Sequence, residues 1–166
     1  FRIQVGPRGL LPEAQPAPDD AQIVVFKGPA IPIAWRDAGE YYRLESKECV
    51  LRAYKNWDFP KGIVNLHEDP LDAAKRETAE ETGITDLEFV FGEDYKETVP
   101  YAGNKVARYY VAETRVEEIT LPVSPELGRP EHHEWRWVTC DEAEDLLPPR
   151  LTHVLAWVRD RIDNDA

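Results

Sequence analysis

The chain has 166 residues, a size typical of one domain, and 42% of them are hydrophobic, so it has the material for a packed core. No run approaches the roughly 20 apolar residues that a membrane span needs, and no basic-then-apolar signal segment opens the chain. Cys49 and Cys140 lie far apart without metal-type spacing, which favours reduced thiols, although one disulfide between them is compatible with the sequence. We predict a cytoplasmic, monomeric protein with no membrane partner.

The formal net charge of −12 restricts the class of partner. An acidic surface repels the phosphate backbone that nucleic-acid binders attract with lysine and arginine, so we expect no stable nucleic-acid partner. A small anionic ligand accompanied by a divalent cation is compatible with this charge.

The first half of the chain divides into an arm and the start of a domain. Residues 1–20 carry four prolines and little apolar periodicity, which predicts an irregular proline-rich arm before a domain at 21–166. Residues 22–27 and 48–53 are rich in β-branched or apolar side chains and predict two strands, with a surface excursion at 28–39. Asp69 as N-cap, Pro70 at the first helical position and Gly83 as a left-handed stop predict a helix over 70–82.

The second half predicts further strands and two helices. Aromatic and β-branched runs indicate strands at 87–99 and 106–113, joined by a turn at 102–104, and a short strand at 135–138. Asp141 and Glu144 have capping-box spacing, which predicts a helix at 142–147. A repeat of three and four residues predicts a C-terminal amphipathic helix, formed by Leu151, Val154, Leu155, Val158 and Ile162. Together the elements predict an α/β fold around a mixed β-sheet.

Three carboxylates crowd the predicted helix at 70–82. Glu77 and Glu81 lie one turn apart and Glu80 borders their face, so like charges repel in turns where the helix dipole also disfavours anions. A solvated charged helix, helped by an Arg76–Glu80 pair, is the alternative interpretation. A hard divalent cation such as Mg²⁺ or Mn²⁺ resolves the repulsion, because it seeks several carboxylate oxygens.

Residues 62–84 read GIVNLHEDPLDAAKRETAEETGI and resemble the Nudix box, G-x5-E-x7-R-E-U-x-E-E-x-G-U, where U is a bulky aliphatic residue. Every fixed position matches; one U position holds Thr78, which could loosen helix packing. The resemblance to Nudix hydrolases implies the Nudix α/β/α sandwich and pyrophosphate hydrolysis with Mg²⁺ or Mn²⁺. It implies metal ligands at Glu77, Glu80, Glu81 and the Gly62 carbonyl, with Glu68 and Arg76 as charge partners that hold loop and helix together.

Other segments resemble the asymmetrical bis(5′-nucleosyl)-tetraphosphatases within the Nudix hydrolases. The segment before the box, Trp57-Asp58-Phe59-Pro60-Lys61-Gly62, is similar to their W-x-x-P-K-G, which implies that Lys61 contacts a phosphate. Tyr101 stands where such enzymes stack a tyrosine on a base, and Lys105 follows where a lysine reaches the polyphosphate. Arg52 is a further candidate for substrate binding. Residues 62–68 lack the histidine and the proline-glycine turn common in relatives, which removes expected loop contacts to phosphate.

The late segment 131–137 is similar to their E-H-x-x-aromatic-R-W stretch. By that alignment Glu131 is the remote carboxylate that completes the metal cluster or activates water, with Glu134 as the fallback. Neighbouring strand residues point to opposite faces, so His132 is interpreted as a substrate contact and His133 as a surface residue.

The resemblance implies water attack on a small nucleotide polyphosphate, with diadenosine tetraphosphate giving AMP and ATP. Glu131 or a box glutamate such as Glu80 would be the general base. The alternatives are an RNA 5′-pyrophosphohydrolase, another Nudix pyrophosphatase of nucleoside-diphosphate-linked compounds, and a binding module that has lost its chemistry. The net charge and Lys61 favour the dinucleotide over RNA, and the complete set of box glutamates argues against the binding module.

Overall fold

The structure, a computed structural model, describes the backbone of residues 20–27, 47–53 and 55–164, and the side chains of 50–53 and 55–164. Three predicted features lie outside the described residues: the arm up to residue 19, the excursion at 28–39 and the Cys49 thiol.

The described residues form nine strands, three α-helices and one 3₁₀ turn. In chain order these are β1 (Asp20–Lys27), β2 (Lys47–Ala53), β3 (Asn56–Asp58), β4 (Lys61–Ile63), α1 (Pro70–Thr82), β5 (Tyr95–Glu97), β6 (Ala107–Thr114), β7 (Val123–Ser124), β8 (Arg129–Pro130), β9 (Glu134–Val138), α2 (Cys140–Leu146), the 3₁₀ turn (Pro149–Leu151) and α3 (Thr152–Asn164).

Seven strands make one mixed sheet, as predicted. Its main order is β3-β2-β1-β6-β5, while β4 pairs with β1 and β9 pairs with β2. Strands β1 and β6 run parallel, and the other pairs run antiparallel. The register places Gly62 of β4 opposite Ala21 of β1, which brings the segment before α1 to the middle of the sheet.

Side chains of β6 alternate between two apolar layers, because successive strand residues point to opposite faces. Tyr109 and Val111 join the core on the side of α3, whereas Tyr110 and Ala112 join the core on the side of α1. Helices therefore cover both faces of the sheet, which confirms the α/β/α sandwich. No helix among the described residues is long and apolar enough to cross a membrane.

Helix α1 begins and ends where its sequence predicts. The Asp69 side chain accepts hydrogen bonds from the backbone N–H groups of Leu71 and Asp72, and Gly83 ends the helix at φ 77°. Its buried face includes Thr78, whose hydroxyl donates to the Ala74 carbonyl at 2.8 Å. The polar atom at this usually aliphatic position is therefore satisfied inside the helix.

Two predicted elements differ from the structure. The predicted strand at 87–99 is wrong for most of its length, because residues 90–93 form a turn with Gly92 at φ 76°. Pairing with β6 is limited to Tyr95–Glu97 and a single bridge between Glu88 and Glu113. Helix α2 starts earlier than predicted, since its capping box is Thr139 with Glu142 and not Asp141 with Glu144.

The remaining predicted strands and the C-terminal helix are confirmed. The predicted turn at 102–104 is also present, with Ala102, Gly103 and Asn104 all at positive φ between the paired residues Tyr101 and Lys105. Of the C-terminal apolar repeat, Val154, Leu155 and Val158 are buried in α3, whereas Leu151 is buried in the preceding 3₁₀ turn.

Candidate active site

Helix α1 presents its three glutamates very differently. The side chain of Glu81 is 3% exposed and that of Glu77 is 16% exposed, whereas that of Glu80 is 58% exposed. The helix therefore turns two carboxylates, one turn apart, towards β4 and leaves the third largely in solvent.

Strand β4 holds both inward carboxylates. The Lys61 backbone N–H donates to Glu81 Oε2 at 2.7 Å. A Cβ atom added to Gly62 would lie 1.7 Å from Glu77 Cδ, so only glycine admits this carboxylate in its present position. The glycine of the motif is thus explained by the close approach of Glu77 to the backbone.

The loop before β9 completes a compact cluster. Glu81, Glu131 and His132 each offer one ligand atom, and these atoms lie within 4.8 Å of one another. His132 is buried, and its Nδ1 lies 3.9 Å from Glu81 Oε1. Neither of these two atoms has a hydrogen-bond partner among the described residues.

Burial dominates the electrostatics of the cluster. It raises the pKa of Glu81 to about 8, helped by the charges of Glu131 and Glu77 and opposed by Lys61. Burial also raises the pKa of Glu77, and it lowers the pKa of His132 to about 4. The cluster thus opposes negative charge on its buried carboxylates and keeps the histidine neutral.

These observations fit a divalent cation. An unpartnered buried carboxylate oxygen is costly, and a positive charge with free coordination positions would remove both the desolvation cost and the repulsion between the carboxylates. The donors are carboxylate oxygens and one imidazole nitrogen, all groups that bind divalent metals.

Arg76 ties the loop after β4 to α1. Its guanidinium makes two bonds to Glu68, at 2.9 and 3.0 Å, and further bonds to Glu77 and to the Ile63 carbonyl. The hydrogen bonds from Arg76 lower the pKa of Glu68 to about 2. Arg76 also contacts Glu80 at 3.3 Å. The Arg76–Glu80 ion pair expected for a solvated charged helix is therefore present beside the cluster.

A model of the NUDIX domain matches residues 37–158. The chain belongs to the Nudix hydrolase family. Hydrolases of this family act on nucleotide polyphosphates with divalent cations, and Glu81 of the cluster lies in the box that defines them.

Two curated relatives span most of the chain. It is 28% identical to the asymmetrical bis(5′-nucleosyl)-tetraphosphatase of Rattus norvegicus over 127 residues, 75% of this chain and 80% of the relative. It is also 28% identical to the RNA pyrophosphohydrolase of Bartonella clarridgeiae over 120 residues, 63% of this chain and 68% of the relative.

The fold is similar to solved Nudix structures. A binary complex of the Ap4A hydrolase of Caenorhabditis elegans superimposes with a TM-score of 0.66, covering 87% of this chain and 98% of that one. Its sequence identity is 22%, so this likeness supports the fold alone.

The Nudix-box residues do not all meet at one point. Glu77, Glu81 and the Gly62 backbone lie together, while Glu80 extends towards solvent beside Arg76. The fallback carboxylate Glu134 lies outside the cluster, since it pairs with Arg52 and Arg136, each at 2.6 Å.

The predicted substrate residues of this Nudix hydrolase lie in different environments. Lys61 is half-buried and close enough to Glu81 to lower its pKa, and Lys105 is exposed directly after the turn at 102–104. Tyr101 is half-buried, with the Arg150 guanidinium 4.9 Å from its ring centre. His133 is exposed, as its predicted surface role requires.

Sequence reasoning missed two features of the site. It assigned His132 to the substrate, whereas the structure buries its ring beside Glu81; adjacency to Glu131 in the E-H pair was the available signal. It also missed the ion pair of Arg150 with the half-buried Asp58, at 2.5 Å. These two residues are 92 positions apart, and no local pattern joins them.

Proposed function

We propose that this Nudix hydrolase cleaves dinucleoside polyphosphates, and that diadenosine tetraphosphate gives AMP and ATP, with residues 21–166 as the catalytic domain. The rat relative, an asymmetrical bis(5′-nucleosyl)-tetraphosphatase, supports this substrate class. The observation that carries the choice is the net charge of −12, which opposes a long polyanion but admits a short polyphosphate.

The proposed cation ligands are Glu77, Glu81, Glu131 and the Gly62 carbonyl, with Glu80 as a further carboxylate. Mg²⁺ or Mn²⁺, when bound, would neutralise phosphate charge and acidify water. Glu131 is exposed, and its carboxylate belongs to the compact cluster, so it is the proposed general base. It accepts a proton as water bonds to one phosphorus and the bridging oxygen leaves.

Lys61 is the proposed phosphate-binding residue. Its backbone is fixed by Glu81, so its ammonium group extends from a rigid point beside the cluster. A charge-assisted contact to a phosphate oxygen contributes about 1.5 to 3 kcal/mol. Tyr101 and Lys105, which face each other across the turn at 102–104, are the proposed contacts for a base and for the outer phosphates. Arg52 is a secondary candidate for substrate contact.

RNA 5′-pyrophosphohydrolysis is the second candidate, favoured by the match to the Bartonella enzyme. Both reactions hydrolyse a phosphoanhydride, so the acidic cluster serves either. The two substrates differ at the far end of the polyphosphate: the dinucleotide carries a second nucleoside there, whereas the RNA ends in a free triphosphate.

The test is to incubate the protein with diadenosine tetraphosphate and Mg²⁺ and to quantify nucleotides by anion-exchange chromatography. We expect AMP and ATP in equal amounts, and a rate several-fold above that on triphosphorylated RNA at equal concentration. Equal ADP, or faster turnover of RNA, contradicts the proposed substrate. Glu131→Gln should lower kcat by about 100-fold or more with a smaller change in KM, as loss of a general base requires.

A further inference from the structure

The cluster contains one donor that is not a carboxylate. His132 lies directly after Glu131, and its side chain is 2% exposed. Its Nδ1 and Glu81 Oε1, 3.9 Å apart, are both buried and without a hydrogen-bond partner among the described residues. The separation exceeds a hydrogen bond, so the two atoms do not satisfy each other.

The placement of these atoms favours a shared third partner. Buried polar atoms in folded proteins are almost always paired, and two unpaired atoms that face one space need the same occupant. A water could bridge them, but Glu131 brings a second carboxylate oxygen within 4.8 Å of both. Two carboxylates and one imidazole around one point match a cation better than they match a water.

The identity of the donors limits the identity of the cation. Mg²⁺ prefers oxygen ligands and dehydrates reluctantly, whereas imidazole nitrogen suits first-row transition ions. The cluster joins one imidazole nitrogen to two carboxylate oxygens, a donor set that suits such an ion.

We infer that His132 Nδ1 is a metal ligand, and that the Glu81, Glu131 and His132 site therefore takes a transition dication such as Mn²⁺ in preference to Mg²⁺. This inference rests on the proposed metal-dependent hydrolysis and specifies its ion.

The direct test is pulsed electron paramagnetic resonance of Mn²⁺ bound to the full chain. We expect ¹⁴N coupling from an imidazole in the wild-type protein, and loss of that coupling in His132→Gln. His133→Gln is the matched control, since it makes the same substitution at the neighbouring exposed histidine. That control should keep the coupling, and so should His67→Gln in the exposed loop before α1.

A competition measurement gives the selectivity. Displacement of bound Mn²⁺ by Mg²⁺ measures the ratio of the two affinities. We expect His132→Gln to lower the ratio of Mn²⁺ to Mg²⁺ affinity by about tenfold or more, because losing even a hydrogen-bond partner of a metal ligand lowers metal affinity by about that much. His133→Gln should leave the ratio within about twofold.

The outcomes separate the two proposals. Bound Mn²⁺ without nitrogen coupling, or with coupling that survives in His132→Gln, overturns the inference and leaves the hydrolase proposal intact. No binding of Mn²⁺ or Mg²⁺ to the wild-type chain contradicts both. If His132→Gln does not fold, the wild-type spectrum still decides whether a nitrogen ligand exists, and the two control variants decide whether His67 or His133 supplies it.

Discussion

Replacing the buried carboxylate of Glu81 by an amide should stabilise the metal-free protein at alkaline pH. Burial raises the pKa of Glu81 from its ordinary 4.5 to about 8, so the folded state holds a proton that the unfolded state releases. Stability from this group is fully present below pH 4.5 and declines as pH rises towards 8. Glu81→Gln keeps the acceptor for the Lys61 N–H and removes the titration.

The magnitude follows from the two pKa values. One unit of pKa difference corresponds to about 1.4 kcal/mol, and linkage over the interval gives a loss of about 3 to 4 kcal/mol between about pH 5 and about pH 8. The free energy of unfolding of Glu81→Gln, relative to wild type, should therefore rise by about 3 kcal/mol over the same interval.

The assay is urea denaturation of chelator-treated protein across this pH range. Glu80→Gln is the matched control, because it makes the same substitution one residue earlier at a side chain that is 58% exposed. Its effect should stay within about 0.5 kcal/mol at every pH. If the difference in free energy of unfolding between Glu81→Gln and wild type does not change with pH, the electrostatic description of the cluster is refuted.

Three further substitutions test the supports of the cluster. Gly62→Ala should cost about 1 to 3 kcal/mol in urea denaturation, because the added methyl overlaps Glu77; in a Glu77→Ala background the cost should largely disappear, and an undiminished cost contradicts the contact. Arg76→Lys should cost about 1 to 2 kcal/mol, because lysine cannot make the paired bonds to Glu68; an unchanged denaturation midpoint would argue that this clamp is unimportant. Thr78→Val should stabilise α1 by about 0.5 kcal/mol while leaving turnover unchanged, since it removes a buried hydroxyl whose bond is only to its own helix; marked destabilisation would assign that bond a larger role.

Local rules predict α1 well because its signals are short-range. Asp69, Pro70 and Gly83 act within one turn of the helix ends, and the structure places both ends where these residues require. The prediction for 87–99 is wrong because apolar and aromatic content alone cannot reveal the turn at Gly92.

In the candidate site, too, local spacing predicts some features, whereas others depend on contacts between distant segments. The spacing of Glu77 and Glu81 suffices to place them on one helical face, but it cannot say that Glu80 turns outwards. The position of Glu131 and His132 depends on pairing of β9 with β2, a contact between segments more than 80 residues apart. Because of that separation, Glu131 could be predicted from the family resemblance but not from a local pattern. The burial of His132 could be seen only in the structure.

The contacts around β4 imply that cation binding and folding are coupled. Glu81 fixes the backbone of Lys61, and Glu77 lies against Gly62. Arg76 joins Glu68 in the following loop to Glu77 and to the Ile63 carbonyl. A cation held by these carboxylates would bind the folded state alone, so it should raise stability in proportion to the logarithm of its concentration above Kd. Because the same carboxylates lower stability without a cation, the metal-free protein should loosen first between α1 and β4, where protection against hydrogen exchange should fall most as pH rises.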